Sequence, residues 1–506
     1  MMQDDHTPVI VGVGEINDRP VDPSLGMEPL SLMGVALRRA ASDAVGYARI
    51  SELLSLIDSL DVVNFVSWRY DDPARQLCRQ VGIEPRRAKY GALGGESPVR
   101  LLHEAALGIA RGEYSACAVV GAEARNSVVK ARKQGIELPW TRPSQIAPRC
   151  VRGEDILRPQ SVRLGVDKPT TVYPFYEAAT AAHWGQAPHE ARKESAELWA
   201  KYAKVAERNP ISWLRKSFSP DAIGTPSPDN RMIAWPYTKL QVANPTVNQG
   251  AAVIVMSLAR AKAVGISNDR LIYVWGGANA HEPRDYLDRD QYYESHAQKA
   301  VLAAAREIAG PRGISFMELY SCFPCVPKMA LRALGTARAI SPTVTGGLTF
   351  FGAPLNNYMT HATCAMVRRL RLRRGAGLLY GQGEFLTKHQ SLVISTNAPK
   401  RETSSWEPSV QANADRQRRE VPPFVVKDSG RAFVETFTVI YGEGAEVRHG
   451  VVILRDAVGM RTIARVPSED KRTLHALCDP GRTPVGLEGT LSPGHDHIAN
   501  WSLMTN

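Results

Sequence analysis

A few short stretches of this 506-residue chain carry residue types able to do chemistry. Cys322-Phe-Pro-Cys325 has the spacing of a redox couple or of half a zinc site. Zinc would require two further ligands at matching spacing, which the sequence does not offer, so no metal is expected. The pair follows the strand-like run Phe316-Met-Glu-Leu-Tyr320, so at least one thiol should emerge at a strand's carboxyl end, where α/β proteins place their ligands. Two packed thiols are the bland alternative.

Gly94-Gly-Glu-Ser-Pro98 opens a helical pattern, with Ser97 expected as N-cap and Pro98 as first helical residue. Amides at such a start can hold an anion or an oxyanion. Ser97 reads as a cap before it reads as a nucleophile. Gly346-Gly-Leu-Thr-Phe-Phe-Gly-Ala-Pro354 opens a second helix in the same manner, and its glycines let a backbone approach a ligand closely. His361 falls in the first or second turn of that helix, where a lone histidine is more often structural. The arginine-rich run 368–374 closes the helix and reads as a solvated end favoured by the helix dipole.

The elements that must position these residues alternate. Residues 8–14, 57–66, 116–121 and 250–257 are strand-like, while 30–44 and 98–111 have helical spacing. Such alternation predicts an α/β fold with parallel pairing. Between residues 123 and 248 lies an insert rich in Pro, Trp, Tyr and Arg, with helical spacing only over 189–207. The alternation resumes from 270 to 395. The unit from Gly95 through a helix to a strand ending at Gly121 is echoed by the unit from Gly352 to Gly381, which reads as two related halves. After a polar linker the pattern switches to period two, predicting a small antiparallel β domain and short barrel.

Composition narrows the function classes. The formal charge of +11 is compatible with nucleic acid, a membrane surface or anionic small ligands. Base-stacking aromatics interleaved with basic residues, reader modules, a P-loop and a complete G-x-G-x-x-G are all missing from the sequence, so no nucleic-acid partner is expected. No segment approaches the roughly 20 apolar residues of a membrane span. Seven scattered cysteines and an acidic N-terminus without signal character make the cytoplasm the expected location.

The order of strand, Gly-rich turn, buried helix, insert, second half and G-G-x-x-x-x-G-x-P loop resembles the thiolase superfamily over residues 8–395. Glu318-Leu-Tyr-Ser-Cys-Phe323, the stretch Asn230-Arg-Met-Ile-Ala-Trp-Pro-Tyr-Thr-Lys-Leu240 and the extra C-terminal β domain look like the bacterial thiolase-like proteins of type 1, relatives of sterol carrier protein thiolases. The resemblance implies a thiolase-like five-layered αβαβα fold. Its two homologous halves would span 8–258, with the loop-domain insert at 123–248, and 259–397. A linker at 398–420 and an OB-like barrel at 421–506 would complete the chain. It also implies a coenzyme A thioester as substrate or ligand, no covalently bound cofactor and a homodimer, and it leaves room for an auxiliary subunit.

Departures from the family pattern bear directly on chemistry. The nucleophilic cysteine of thiolases, at the start of the buried helix, corresponds to Gly95, on which no acyl-enzyme can form. The histidine of the family's Gly-His-Pro corresponds to Ala353, and the Asn or His of its N-E-A-F or H-D-C-F motif to Tyr320. Cys322 matches the acid/base cysteine of sterol carrier protein thiolases. The resemblance therefore implies a protein that makes or breaks a C–C bond of an acyl-CoA thioester without an acyl-cysteine, for example by retro-aldol chemistry. Cys322, Tyr320 and His361 are its expected catalytic groups, with Tyr320 taking a β-hydroxyl proton; Gly95, Ser97, Gly352 and Ala353 would surround the thioester. The alternatives are a non-catalytic acyl-CoA or lipid-binding protein, and an acetyl-CoA acetyltransferase with its nucleophile relocated to Cys322 or Cys325. Cations for the coenzyme phosphates are expected first at Lys130, Arg132, Lys133 and Arg142.

Overall fold

The structure is a computed structural model describing residues 5–147, 149–335 and 340–504. In chain order its first strands are β1 (Pro8–Asn17), β2 (Ser59–Val62), β3 (Arg87–Tyr90), β4 (Ala116–Ala124), β5 (Met232–Ala234), β6 (Tyr237–Thr238), β7 (Asn248–Ser257) and β8 (Ile272–His281). Then come β9 (Phe316–Leu319), β10 (Ala376–Gly383), β11 (Lys388–Ser395), β12 (Gly430–Tyr441), β13 (Val447–Arg455), β14 (Arg461–Val466), β15 (Glu488–Ser492) and β16 (Asn500–Leu503).

Nine of these strands form one mixed sheet, ordered β3-β2-β4-β7-β1-β8-β11-β10-β9. Read inward from either edge, the two halves repeat one arrangement, except that the second has no counterpart of β3. Parallel pairs, β2 with β3 and β4 or β9 with β10, lie at each outer side. Parallel pairing throughout, which the alternation suggests, is corrected at the centre: β7 runs antiparallel to its neighbours β1 and β4, and β11 antiparallel to its neighbours β8 and β10. In the second half the reason is local, because β10 returns as β11 through a tight turn, which needs no crossover helix. The halves meet where β1 pairs with β8 at Val9–Tyr273 and Ile10–Ile272.

Alternation along β1 builds the layers. Val9 and Val11 join the core beneath the Pro29–Val45 helix, whereas Ile10 and Val13 join the core containing the Ser97–Ala110 helix. Full burial of each such side chain contributes about 1.5–3 kcal/mol. The Ser97–Ala110 and Tyr358–Leu372 helices occupy the middle of the molecule, and His296–Ala309 covers the second half from outside. This is the five-layered arrangement the resemblance implies.

The insert is more helical than its composition suggests. Besides Pro188–Arg208 it forms Arg125–Gln134 and Pro169–His183, the latter obscured in sequence by an internal Pro174. The C-terminal strands close a five-stranded barrel in the order β12-β13-β14-β16-β15, with β14 and β16 parallel and the Lys471–Leu477 helix between β14 and β15. The β5–β6 hairpin of the insert pairs with β12 at Ala234–Ile440, tying barrel to insert. The fully buried Arg461 guanidinium ties it to the second half, donating to the Leu287 carbonyl at 2.7 Å and to both Glu435 oxygens. Residues 398–420 lie along β8, where Asn279 N–H donates to Pro408 O at 2.7 Å and Thr403 Oγ1 to Val274 O at 2.7 Å.

Among the described residues no helix is long and apolar enough to cross a membrane, and no group of three or more His, Cys, Asp or Glu is placed to hold a metal.

Candidate active-site cleft

β9 ends at Leu319, so Tyr320 and Cys322 emerge at its carboxyl end beside the start of the Ser97–Ala110 helix. They line a cleft of about 960 Å³ whose floor includes Gly94, Gly95 and Gly383. Its walls come from three places: Phe65, Tyr70 and Tyr90 of the first half, Tyr173 of the insert, and Gln382 at the end of β10.

Gly95 and Tyr320 are fitted to each other. A Cβ added at Gly95 would overlap the Tyr320 hydroxyl and stand 2.5 Å from the Gln382 carbonyl oxygen. The space a nucleophile would fill is therefore taken by a phenol and a backbone carbonyl. Tyr320 is 7% exposed, and burial, with the neighbouring Cys322 and Glu96, drives its pKa well above the usual phenol value. It is a hydroxyl donor. Burial thus works against the phenolate that the expected base role of Tyr320 would use.

Cys322 is 8% exposed, and burial raises its thiol to about 12, although Tyr173, Gln382 and nearby backbone groups hydrogen-bond toward it. The Gln382 amide donates to Cys322 Sγ at 3.0 Å and to Tyr173 Oη at 2.8 Å. Tyr173 in turn donates to the Glu384 carbonyl at 3.0 Å and stacks on Phe323 with centroids 4.4 Å apart. Cys325 lies fully buried below, its pKa raised by burial and by Glu177. Neither thiol has the electropositive, exposed setting that makes a cysteine reactive.

The other expected site residues do not line the cleft. Ser97 is the first helical residue, not the cap; Glu96 takes the N-cap position without capping through its side chain. Ala353 N–H is committed to the Asn244 carbonyl at 2.9 Å, and Gly352 faces Gln249 and Val247; Leu355 and Asn356 are the parts of that loop that reach the cleft. His361 is fully buried, its Nδ1 2.6 Å from Glu15 Oε1. Arg368 also pairs with Glu15 and Arg371 with Asp43 at 2.7 Å, so these two members of the basic run knit the helix to the first half rather than standing free. Lys130, Arg132, Lys133 and Arg142 lie outside the lining, which instead contains Arg69, Arg125, Arg149 and Arg152. Arg149 is held by Asp155 at 2.8 Å, and Arg152 lies 3.7 Å from Glu154.

Sequence reading passes over Tyr173, Gln382 and Glu96. Gln382 sits between glycines at a strand end, a usable signal; Tyr173 is one of several tyrosines in the insert and carries none.

This two-half sheet, the paired central helices and the cleft at their start are those of the thiolase fold, which the chain shares with the solved structures it resembles. It is similar over 99% of its length, and 100% of the other chain, to the SCP2-thiolase-like protein type 1 of Mycobacterium smegmatis, which is described as monomeric, at 28% identity and TM-score 0.83. The acetyl-CoA acetyltransferase of Syntrophomonas wolfei shares the fold at 14% identity and TM-score 0.55, over 77% of this chain and 99% of that one. So does the Ltp2-ChsH2(DUF35) aldolase, at 15% identity and TM-score 0.57, over 79% and 100%. No family model and no curated protein matches the chain.

Proposed function

We propose that this protein binds an acyl-CoA thioester in the cleft and makes or breaks a carbon–carbon bond next to the thioester without an acyl-cysteine. The carrying observation is the Gly95–Tyr320 fit: where a nucleophile would stand, the cleft presents a protonated phenol. A retro-aldol step needs hydrogen-bond donors for an enolate and a group for proton transfer, not a covalent intermediate. Tyr320 and Cys322 supply donors. The mouth arginines, Arg69, Arg125, Arg149 and Arg152, match a coenzyme's phosphates, and the aromatic wall matches an apolar acyl chain. That one protein sharing the fold is named an aldolase supports the same reading.

Incubation with a β-hydroxyacyl-CoA tests it: release of a shorter thioester plus a ketone or aldehyde is expected. Tight binding without turnover would favour the non-catalytic acyl-CoA or lipid-binding reading instead. The relocated-nucleophile acetyltransferase requires a thiolate, which burial of Cys322 and Cys325 opposes.

The barrel's strand order, first-second-third-fifth-fourth, supports an OB-like domain. A homodimer built on the edge strand β3 would place the Arg87–Asp61 and Lys89–Glu104 pairs at its interface, and the M. smegmatis protein is described as monomeric. Sedimentation at micromolar concentration separates the two states.

A further inference from the structure

Three apolar side chains of the cleft take no part in holding the fold together. Val66, Leu93 and Leu355 all line it, and each is only half-buried. Among the described residues none of the three belongs to an apolar core or packs against one. The aromatic wall differs, since Phe65 and Tyr70 are buried in the core beneath the Pro29–Val45 helix. Apolar surface turned to a concave site instead of a core is surface available to a ligand.

Leu355 is held there against its own backbone preference. Its φ is +41°, in the left-handed region that glycine and asparagine occupy far more readily than leucine. Its surroundings enforce this: Asn357 N–H donates to the Pro354 carbonyl at 2.8 Å, and the Asn357 side-chain amide to the Gly121 carbonyl at 2.7 Å. Strain of this kind persists only where neighbouring contacts over-determine it, and it gathers at ligand sites. Asn356 then joins the three apolar side chains into one patch. It is 7% exposed; its Oδ1 accepts from Gly94 N–H, next to Leu93, at 3.2 Å, and its Nδ2 donates to the Asn64 carbonyl, two residues before Val66, at 2.9 Å. The patch therefore borders Gly95, the residue after Gly94.

Resting on the proposed acyl-CoA reading, we infer that Leu355, with Leu93 and Val66, forms the subsite for the first carbons of the acyl chain, and that the substrate class is aliphatic acyl thioesters longer than acetyl. With the thioester carbonyl beside Gly95, the carbons that follow it lie on this patch. Both ends of the Asn356 amide are spent on protein backbone, so it leaves nothing for the amides of a pantetheine arm, whereas saturated carbon needs no partner. Acetyl has one methyl to place here; hexanoyl adds four methylenes, and each one fully buried favours binding about fourfold. Leu355 is thus a specificity-determining residue: it selects by size and polarity and takes no part in bond making.

The test measures hexanoyl-CoA and acetyl-CoA affinity by calorimetry for wild type, Leu355→Asn, Leu355→Gly and Leu93→Ala, alongside thermal melting. Wild type should prefer hexanoyl-CoA by about tenfold or more, and both Leu355 variants should bring that preference to about threefold or less. Both should melt at or above the wild-type temperature, because asparagine and glycine accept the left-handed backbone and no core packing is lost. Leu93→Ala, across Asn356, should lower the same preference by about threefold. A preference that survives in the Leu355 variants and in Leu93→Ala, or a wild type that binds the two thioesters equally, overturns the subsite and leaves the acyl-CoA reading standing. Leu355 variants that melt well below wild type or fail to fold show Leu355 to be a packing residue and overturn its role likewise. A wild type that binds neither thioester overturns the acyl-CoA reading and this inference together.

Discussion

The hydroxyl of Tyr320 occupies the space that any side chain on Gly95 would need, with the Gln382 carbonyl closing the other side. Position 95 is thus glycine because its neighbours leave room for nothing else. Restoring a cysteine there would not restore a thiolase.

Substituting Gly95→Ala or Gly95→Cys should destabilise the fold by about 1–3 kcal/mol, the usual cost of overpacking. Tyr320→Ala should recover part of that loss, while the Gln382 carbonyl keeps the rest. A double-mutant cycle by urea denaturation checks it, with a coupling of at least about 0.5 kcal/mol expected for touching residues.

Cys322, with its thiol at about 12, should be nearly inert. At pH 7 the thiolate fraction is on the order of one in 10⁵. Acetyl-CoA treatment should leave no adduct by intact-mass measurement, and native alkylation of Cys322 should be orders of magnitude slower than in denaturant. A Cys322 adduct would revive the acyltransferase.

The mouth arginines separate the cleft from the positions favoured on sequence alone. Arg125→Glu and Arg152→Glu should each weaken coenzyme A binding about 3–10-fold, less so at high salt, because exposed charges are screened. Arg132→Glu and Lys133→Glu should change it little. Calorimetry at two ionic strengths reads the difference.

His361 should prove structural. Glu15 is fully buried, which raises its pKa, but His361 and Arg368 more than compensate and the net shift is downward. Such a depressed carboxyl contributes stability that is complete above the unfolded value near 4.5 and lost as pH falls through the folded one. Glu15→Gln should therefore cost about 3 kcal/mol at pH 7, the low end for a broken buried pair because Arg368 is partly exposed, and should flatten the acid limb of stability. His361→Ala should destabilise without altering coenzyme A affinity.

Much of this was legible in the residues. Apolar runs at 8–14, 116–121 and 250–257 are the strands that bury both faces, and the matched Gly95–Gly121 and Gly352–Gly381 units are central helices feeding β4 and β10. Tyr320 and Cys322 were locatable because a strand end is a sequence feature. Burial is not. Glu96 reads as one loop residue between Gly95 and Ser97 until the fold brings Gly383 against it, and Tyr173 reaches Gln382 across 209 residues. His361 and Arg368 looked available for the same reason: the partner that absorbs them, Glu15, lies at the far end of the chain, on β1.

The most direct test of the account is a crystal structure with a coenzyme A thioester bound. The thioester carbonyl is expected beside Gly95, with the Tyr320 hydroxyl and Cys322 thiol around it, the coenzyme phosphates among Arg69, Arg125, Arg149 and Arg152, and no bond to sulfur. A thioester bound away from Gly95, or an acyl group on Cys322, would contradict it.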